Sequence, residues 1–264
     1  MLGLRRVLRG YTWLLVAFTY LPIVVVAIFS FNDSRFIGEW RGFTLDWYRL
    51  LAEDARAWRA LVNSLLVAVA SSAASIAIAS PAALWARGRP LRVADALTYP
   101  PIVIPEIAEA VSLLVMLVAL GFPLGPVSVV VGHTAFNVAY AYLALAPVGE
   151  KGRRLAEAAR TLGATPLQAF ARITLPVALP GIVAAVALTF MMSFTDFTKT
   201  LFTTGPGFET LPLLVWNRAR RPGLNPYTSH TALAALATVL ITASLIVAAV
   251  VTWYVYSRPS RGGR

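Results

Sequence analysis

The chain has 264 residues, 58% of them hydrophobic and only 13% charged, with a mean hydropathy of +0.70, whereas soluble domains carry about 25% charged residues. That balance excludes a water-soluble globule, an intrinsically disordered chain and a coiled coil. The net charge of +11 falls between apolar segments and not on a basic helix with interleaved aromatics, so it reads as membrane topology and not as a nucleic-acid surface; the absence of cysteine removes disulfides, thiolate metal sites and cysteine nucleophiles.

Six stretches are long and apolar enough to cross a bilayer as helices: Tyr11 to Phe31, Leu61 to Trp85, Ala94 to Leu120, Pro126 to Pro147, Val177 to Phe202 and Thr231 to Tyr256. They are continuous, not alternating segments of about ten residues, which argues against a barrel. The first follows Arg5, Arg6 and Arg9. It is too long for a secretory signal and no small-x-small site follows it, so it reads as an uncleaved span. From Thr44 to Leu61 the residues Trp47, Leu50, Leu51, Ala55, Trp58 and Leu61 recur at helical spacing. They predict one amphipathic helix, capped by Thr44 with Asp46 in its first turn.

Pro100, Pro101 and Pro105 break the start of the third stretch, and Glu106 and Glu109 follow one turn apart on one face. Thr134, Asn137 and Tyr140 place a polar stripe on the fourth, better suited to bonding between helices than to lining a pathway. The fifth carries Asp196 and Lys199 at i,i+3 and the Met191-Met192-Ser193-Phe194 run, which is either packing or an apolar gate. His133 and His230 are lone histidines that read as hydrogen-bonded structural residues. A charge in mid-membrane costs about 2.5–3.5 kcal/mol on insertion scales, so the four ionisable groups in the third and fifth stretches are expected to face a cavity or a partner, the alternative for Glu106 and Glu109 being solvation at the interface where the prolines break the span. Two carboxylate-bearing helices converging would favour a cationic solute. A pairing of Asp196 with Lys199 would leave that pair neutral.

With the N-terminus inside, the inner segments hold Arg5, Arg6, Arg9, Arg87, Arg89, Arg92, Lys151, Arg153, Arg154, Arg160, Arg172, Arg258, Arg261 and Arg264. The outer ones hold Arg35, Arg41, Arg49, Arg56, Arg59, Arg218, Arg220 and Arg221, nearly offset by six acidic residues. The excess of basic residues inside favours N-in, C-in. The longest inner connection, residues 148–176, is a patterned loop. Gly149 to Leu162 are strong helix formers, with Arg153 and Glu157 spaced as an i,i+4 pair. Gly163 is placed to end that helix with a positive φ. Thr165-Pro166-Leu167-Gln168 then starts a second, short helix to Ile173, with Thr as cap, Pro first and Gln closing a capping box. Two helices meeting at a glycine elbow, with small side chains displayed, suit a close-fitting dock for another protein; the alternative is a re-entrant cap on the protein's own bundle.

Glu157-Ala158-Ala159, Gly163-Ala164, Pro166, Phe170, Ile173, Leu175-Pro176 and Pro180-Gly181 resemble the EAA loop of ABC importer permeases. Ser30 to Phe36, Gly42-Phe43-Thr44, Trp47-Tyr48, Pro105-Glu106-Ile107, Ser112-Leu113-Leu114, Thr204-Gly205-Pro206 and Leu211-Pro212-Leu213 extend the likeness over nearly the whole chain. They resemble the second permease subunit of spermidine/putrescine-type importers. The resemblance implies an all-α type I importer permease of six transmembrane helices, a single domain over residues 1–264 in a prokaryotic inner membrane. It implies that the loop is a coupling helix docking on ATP-binding subunits, which hold ATP and magnesium, this chain holding no cofactor. It implies a second permease subunit in a heterodimer, an external solute-binding protein and surrounding lipid as partners. Glu106, Asp196 and Trp47 match positions implicated in substrate passage, with Glu109, Thr195 and Lys199 beside them. Thr195-Asp196 stands where those permeases have paired acids, and Lys199 adds a cation, which leaves room for a zwitterionic or anionic solute.

No GxxxxGK[ST], HExxH or GxSxG occurs, so the chain does not hydrolyse ATP through a P-loop and carries no enzyme constellation of these kinds. A self-sufficient secondary transporter is the alternative from another class. Such proteins usually show internal repeats, and the sequence has no convincing one.

Overall fold

The computed structural model describes residues 2–36, 38–85 and 89–257. Arg87, Arg258, Arg261 and Arg264 of the topology argument lie outside the described residues. The described chain is helical: α1 (Leu2–Phe29), α2 (Asp46–Ala52), α3 (Ala55–Trp85), α4 (Arg89–Thr98), α5 (Pro100–Val103), α6 (Glu106–Ala119), α7 (Pro126–Thr161), α8 (Pro166–Ala169), α9 (Leu175–Phe194), α10 (Thr198–Thr203), α11 (Leu211–Ala219) and α12 (His230–Ser257). Among the described residues, five helical segments are long and apolar enough to cross a membrane, and a pair bent by 109°, Arg92–Val103 with Glu106–Ala119, makes a sixth when it is counted as one span.

The chain divides into two compact units, Met1–Trp58 with Leu214–Ala243 and Arg59–Leu213 with Ser244–Arg264. In the first unit α1 exposes Trp13, Leu14, Phe18 and Leu21, an apolar surface suited to lipid. Beyond it, buried Asn32 organises the following loop. Its Nδ2 donates to the Glu39 carbonyl at 2.8 Å, its Oδ1 accepts from Arg41 N at 2.9 Å, and its own carbonyl accepts from Trp47 Nε1 at 2.8 Å. The Phe31 ring lies against those of Phe43 and Tyr48 at 5.4 and 5.0 Å.

The single amphipathic helix expected from Thr44 to Leu61 is two helices. Thr44 Oγ1 accepts from Asp46 N at 3.1 Å, but the N-cap is Leu45 with no side-chain cap in place of the expected Thr44, and α2 ends at Ala52. Asp54 then turns its Oδ1 onto the amides of Arg56 and Ala57, at 3.0 and 3.1 Å, and so starts α3. The break rotates the buried face: Leu51, Ala57 and Ala60 are buried while Ala55 and Trp58 are exposed.

The core of the second unit is built from small residues. Ala79 and Ala83 of α3, Ala141, Tyr142 and Leu145 of α7, and Ala185 of α9 are buried together. Small side chains let membrane helices approach closely. Gly149 is the tightest case: a methyl there would overlap the Ala83 carbonyl. Buried hydroxyls and amides link the same helices, with Ser72 Oγ 2.6 Å from Thr189 Oγ1 and Asn137 Nδ2 donating to the Thr189 carbonyl at 3.2 Å. Asn137 thus bonds between helices as expected, whereas Thr134 Oγ1 turns back to the Val130 carbonyl of its own helix at 2.7 Å.

Three boundaries differ from the sequence expectation. The fourth span and the first helix of the inner loop are one helix, α7, with Pro147 inside it. Its 36 residues extend about 54 Å at 1.5 Å each, well beyond a hydrocarbon core of about 30 Å. The short helix expected from Pro166 to Ile173 does not stop there, because a π-helical turn at Phe170–Thr174 carries α8 into α9. The fifth span ends at Phe194 and restarts as α10 at Thr198.

Candidate functional site

Two of the crossings are interrupted in the second unit, and the ionisable residues sit at the restarts. Ile104, preceding Pro105, is extended with ψ 135°, the conformation that a following proline favours. α6 begins at once with Glu106, and Glu109 shares its first turn. Carboxylates there complement the positive end of the helix dipole. At the second break Asp196 precedes α10, and its Oδ1 accepts from Lys199 N at 2.9 Å and Thr200 N at 3.1 Å. Asp196 therefore does locally what an N-cap does, and Asp196 and Lys199 meet across a helix start and not along a continuous helical face.

Lys199 joins the two restarts. Its Nζ donates to Asp196 Oδ2 at 2.8 Å and to Glu106 Oε1 at 2.7 Å, and lies 5.5 Å from the Phe136 ring centroid. The expected Asp196–Lys199 pairing exists, and Glu106 extends it into a triad. Exposure differs sharply within it: the side chains of Asp196 and Lys199 are 4% and 9% exposed, that of Glu106 54%. The group is open on the Glu106 side. Glu109 is buried within electrostatic range of Lys199 and Glu106, and its Oε1 has no hydrogen-bond partner among the described residues. Three carboxyl groups lie around one ammonium, with the His133 ring against Asp196.

His133 completes the arrangement, as the hydrogen-bonded residue expected of it but in contact with the charged group. Its Nδ1 is 2.6 Å from Ser193 Oγ, and its Nε2 is 3.0 Å from Thr200 Oγ1 and 3.4 Å from Asp196 Oδ1. Ser193 Oγ also accepts from Ser71 Oγ at 2.9 Å. Sequence reasoning missed the roles of His133, Ser71 and Thr200; a buried histidine in an apolar span was the available signal. Ser193 of the Met191–Phe194 run is therefore a polar link, and Phe194 is buried and stacked on Phe190 at 5.7 Å.

The other predicted residues make contacts of their own. Thr195 is exposed and its Oγ1 donates to the Met191 carbonyl at 2.8 Å. Trp47 belongs to the first unit, its indole donating to Asn32. His230, also of the first unit, sets its ring 5.8 Å from Phe36, and its Nδ1 is buried without a partner among the described residues.

The inner loop follows its sequence pattern at the elbow. Gly163 has φ +93°, and Thr165 and Gln168 form the reciprocal capping box at 3.0 and 3.3 Å. Glu157, Ala158, Gly163 and Pro166 are exposed, and Ala159, Ala164 and Phe170 half-buried. The elbow is tied to the inner end of α3. Phe170 packs on Trp85 with centroids 5.3 Å apart, and Arg153 Nη1 donates to the Ala83 carbonyl at 2.5 Å. Gly152 lies so close to Thr174 that a methyl would come within 3.1 Å of its Cγ2. Arg154 forms an i,i+4 ion pair with Glu150 in this stretch, at 2.5 Å.

Apolar crossing helices, broken at buried charges, together define a multi-pass membrane transport protein. Residues 75–258 match the family of binding-protein-dependent transport system inner membrane components. The spermidine/putrescine transport system permease protein PotC of Escherichia coli (strain K12) is 33% identical over 248 residues, covering 91% of each chain. The putrescine transport system permease protein PotI of the same strain is 34% identical over 261 residues, covering 94% of this chain and 90% of that one. The fold is shared with a bacterial ABC transporter involved in the import of the acidic polysaccharide alginate, at a TM-score of 0.71, 19% identity and 95% and 96% coverage of this chain and that one. It is also shared with the MetNI methionine ABC transporter in inward-facing form, at 0.56, 19% identity, and 81% and 99% coverage. The chain belongs to the family of binding-protein-dependent transport system inner membrane components. It is a pore-forming permease subunit of such an importer, a multi-pass inner-membrane protein and a non-catalytic one.

Proposed function

We propose that this chain is the second permease subunit of an ATP-driven polyamine importer, passing putrescine- or spermidine-like cations. One observation carries the reading: Glu106 and Asp196 already hold a primary alkylammonium, that of Lys199, above the Phe136 ring. Amine ligands of the relatives PotC and PotI present the same group. Lys199 leaves acceptors open: Glu109 Oε1 has no hydrogen-bond partner among the described residues, and Glu106 is 54% exposed.

The whole chain, 1–264, works as one permease domain, N-terminus inside. It pairs with a second, different permease subunit and with ATP-binding subunits that carry ATP and magnesium, and it receives solute from an external binding protein. Glu157, Ala158, Ala159, Gly163, Ala164, Pro166 and Phe170 form the coupling surface for the ATPase. Support comes from the exposed apolar side chains beside them, Leu162 and Leu167, and from the packing of Phe170 on Trp85, which connects the elbow to a crossing helix. ATPase closure pushing this elbow would alternate the access of Glu106 and Asp196, provided that the two states bind solute differently.

Uptake of labelled putrescine and spermidine into proteoliposomes holding the complete transporter tests the reading. The expected result is ATP-dependent uptake, competed by unlabelled polyamines and lost in Gly163→Pro with the fold retained. Competition by zwitterionic or anionic solutes and not by polyamines would overturn the substrate. Uptake that survives ATP depletion and collapses with the proton gradient would overturn the coupling. Full transport in Gly163→Pro would overturn the docking role of the elbow.

A further inference from the structure

We propose that the Glu106–Asp196 site is a primary-ammonium site whose occupant without solute is Lys199, and that solute passes by exchanging with it, with Glu109 taking the second ammonium. Lys199 is then a specificity-determining residue that rejects monocations. The inference rests on the amine reading above.

The Lys199 ammonium makes the contacts a free alkylammonium would make: two carboxylate oxygens at 2.7 and 2.8 Å and a ring face at 5.5 Å. A buried, bonded lysine is ordinarily a closed structural pair, but here one of the two carboxylates is 54% exposed. The group can therefore be approached from the Glu106 side without unfolding α10. A tethered ammonium has a high local concentration at its own site. A monoamine or an inorganic cation would replace one charge by one charge against that advantage. A second ammonium on the same molecule changes the balance, because a further acceptor is waiting. Glu109 Oε1 is buried without a partner among the described residues, and buried acceptors nearly always have a donor. Glu106 and Glu109 lie one turn apart on α6, with their Cβ atoms about 5–6 Å apart by helix geometry. The two ends of a short alkyl diamine can reach both carboxyls. His133 cannot substitute for the missing donor, since its nitrogens face Ser193, Thr200 and Asp196.

The test uses the complete transporter in lipid nanodiscs. Lys199→Ala should lower the unfolding temperature, and n-propylammonium should restore it in a concentration-dependent way; tetramethylammonium, which has the charge but no N–H, should not. In Lys199→Met, propylamine should inhibit putrescine uptake about tenfold more strongly than in the unaltered transporter. Glu109→Gln, in a chain that keeps Lys199, should shrink the preference for putrescine over propylamine by about tenfold. That variant carries the test should the Lys199 variants fail to assemble. A Lys199→Ala transporter that folds and ignores propylammonium, or a Glu109→Gln transporter with undiminished preference, would overturn the exchange. Uptake of polyamines without amine rescue sinks the exchange alone. Rescue by amines in a transporter that imports a zwitterion sinks the polyamine reading alone.

Discussion

Two buried ion pairs in this molecule use the same chemistry and end differently. Asp54 and Arg218 form a closed pair in the first unit. Both side chains are buried, Asp54 also caps α3, and Arg218 lies over the Tyr227 ring at 5.3 Å. Lys199 and Asp196 form the second pair, but the same ammonium also reaches Glu106, which is open to its surroundings. A charge pair becomes a lock when every lone pair and proton is enclosed, and an exchangeable site when one partner stays reachable. Burial of the cation alone does not distinguish the two; exposure of its least buried partner does.

The largest effect should come from breaking the lock. Asp54→Ala leaves the Arg218 guanidinium buried without its counter-charge and removes the α3 cap at the same time. A buried pair broken on one side loses about 3–5 kcal/mol. The assembled transporter should show a strongly lowered unfolding temperature, or fail to be recovered from detergent. A near-unchanged unfolding temperature would mean that this pair too is open.

The comparison sharpens with Arg218→Ala. Its loss should resemble that of Asp54→Ala, and guanidinium at low millimolar concentration should not restore stability, because both partners are enclosed. Rescue of Arg218→Ala, measured beside the propylammonium titration of Lys199→Ala, would break the distinction between lock and exchangeable site.

His133 tests how firmly the open site is held. Replacing it by Ala removes one partner each from Ser193 Oγ and Thr200 Oγ1, which keep Ser71 Oγ and the Asp196 carbonyl, and also the nearest ring nitrogen to Asp196. Losing such hydrogen bonds costs about 0.5–1.5 kcal/mol each. The unfolding temperature should fall by less than in Asp54→Ala, and putrescine uptake should weaken through a misplaced Asp196. Unaltered uptake with lowered stability would confine His133 to packing.

The inner elbow was readable because its determinants act within four residues. Gly163 turns the chain with a φ that other residues avoid, and Thr165 and Gln168 close a box around one helix start. The third-span break was readable for the same reason, since Pro105 constrains the residue directly before it. The break at Thr195–Phe197 carries neither proline nor glycine. It comes from Asp196 accepting amides from α10, a choice that depends on the neighbouring Lys199 and on His133 and Glu106 arriving from elsewhere in the chain. Asp54 hid in the same way: its spacing fits an uninterrupted amphipathic helix, and only its pairing with Arg218, 164 residues away, makes a helix start the better use of its carboxylate. Local chemistry predicted local turns, while charge pairing over long sequence separations decided where two helices were cut.

The smallest effect concerns what holds the helices of the second unit together. Ser72 Oγ meets Thr189 Oγ1 at 2.6 Å, an interhelical bond with no charge in it. Such bonds in membrane proteins average about 0.6 kcal/mol, because the unfolded chain in lipid also finds partners. Thr189 Oγ1 additionally donates to the Ala185 carbonyl of its own helix at 2.9 Å, so it is not orphaned when Ser72 is removed. Ser72→Ala removes only the hydroxyl, a single buried oxygen whose partners are Thr189 Oγ1 and the Val186 carbonyl. Its change in unfolding free energy should therefore be under about 1 kcal/mol, and its ratio of putrescine to propylamine inhibition should be unchanged. A large loss from Ser72→Ala would mean that neutral bonds set the spacing of these helices as strongly as the buried charges do, and stability differences at Lys199 would then have to be read against that background.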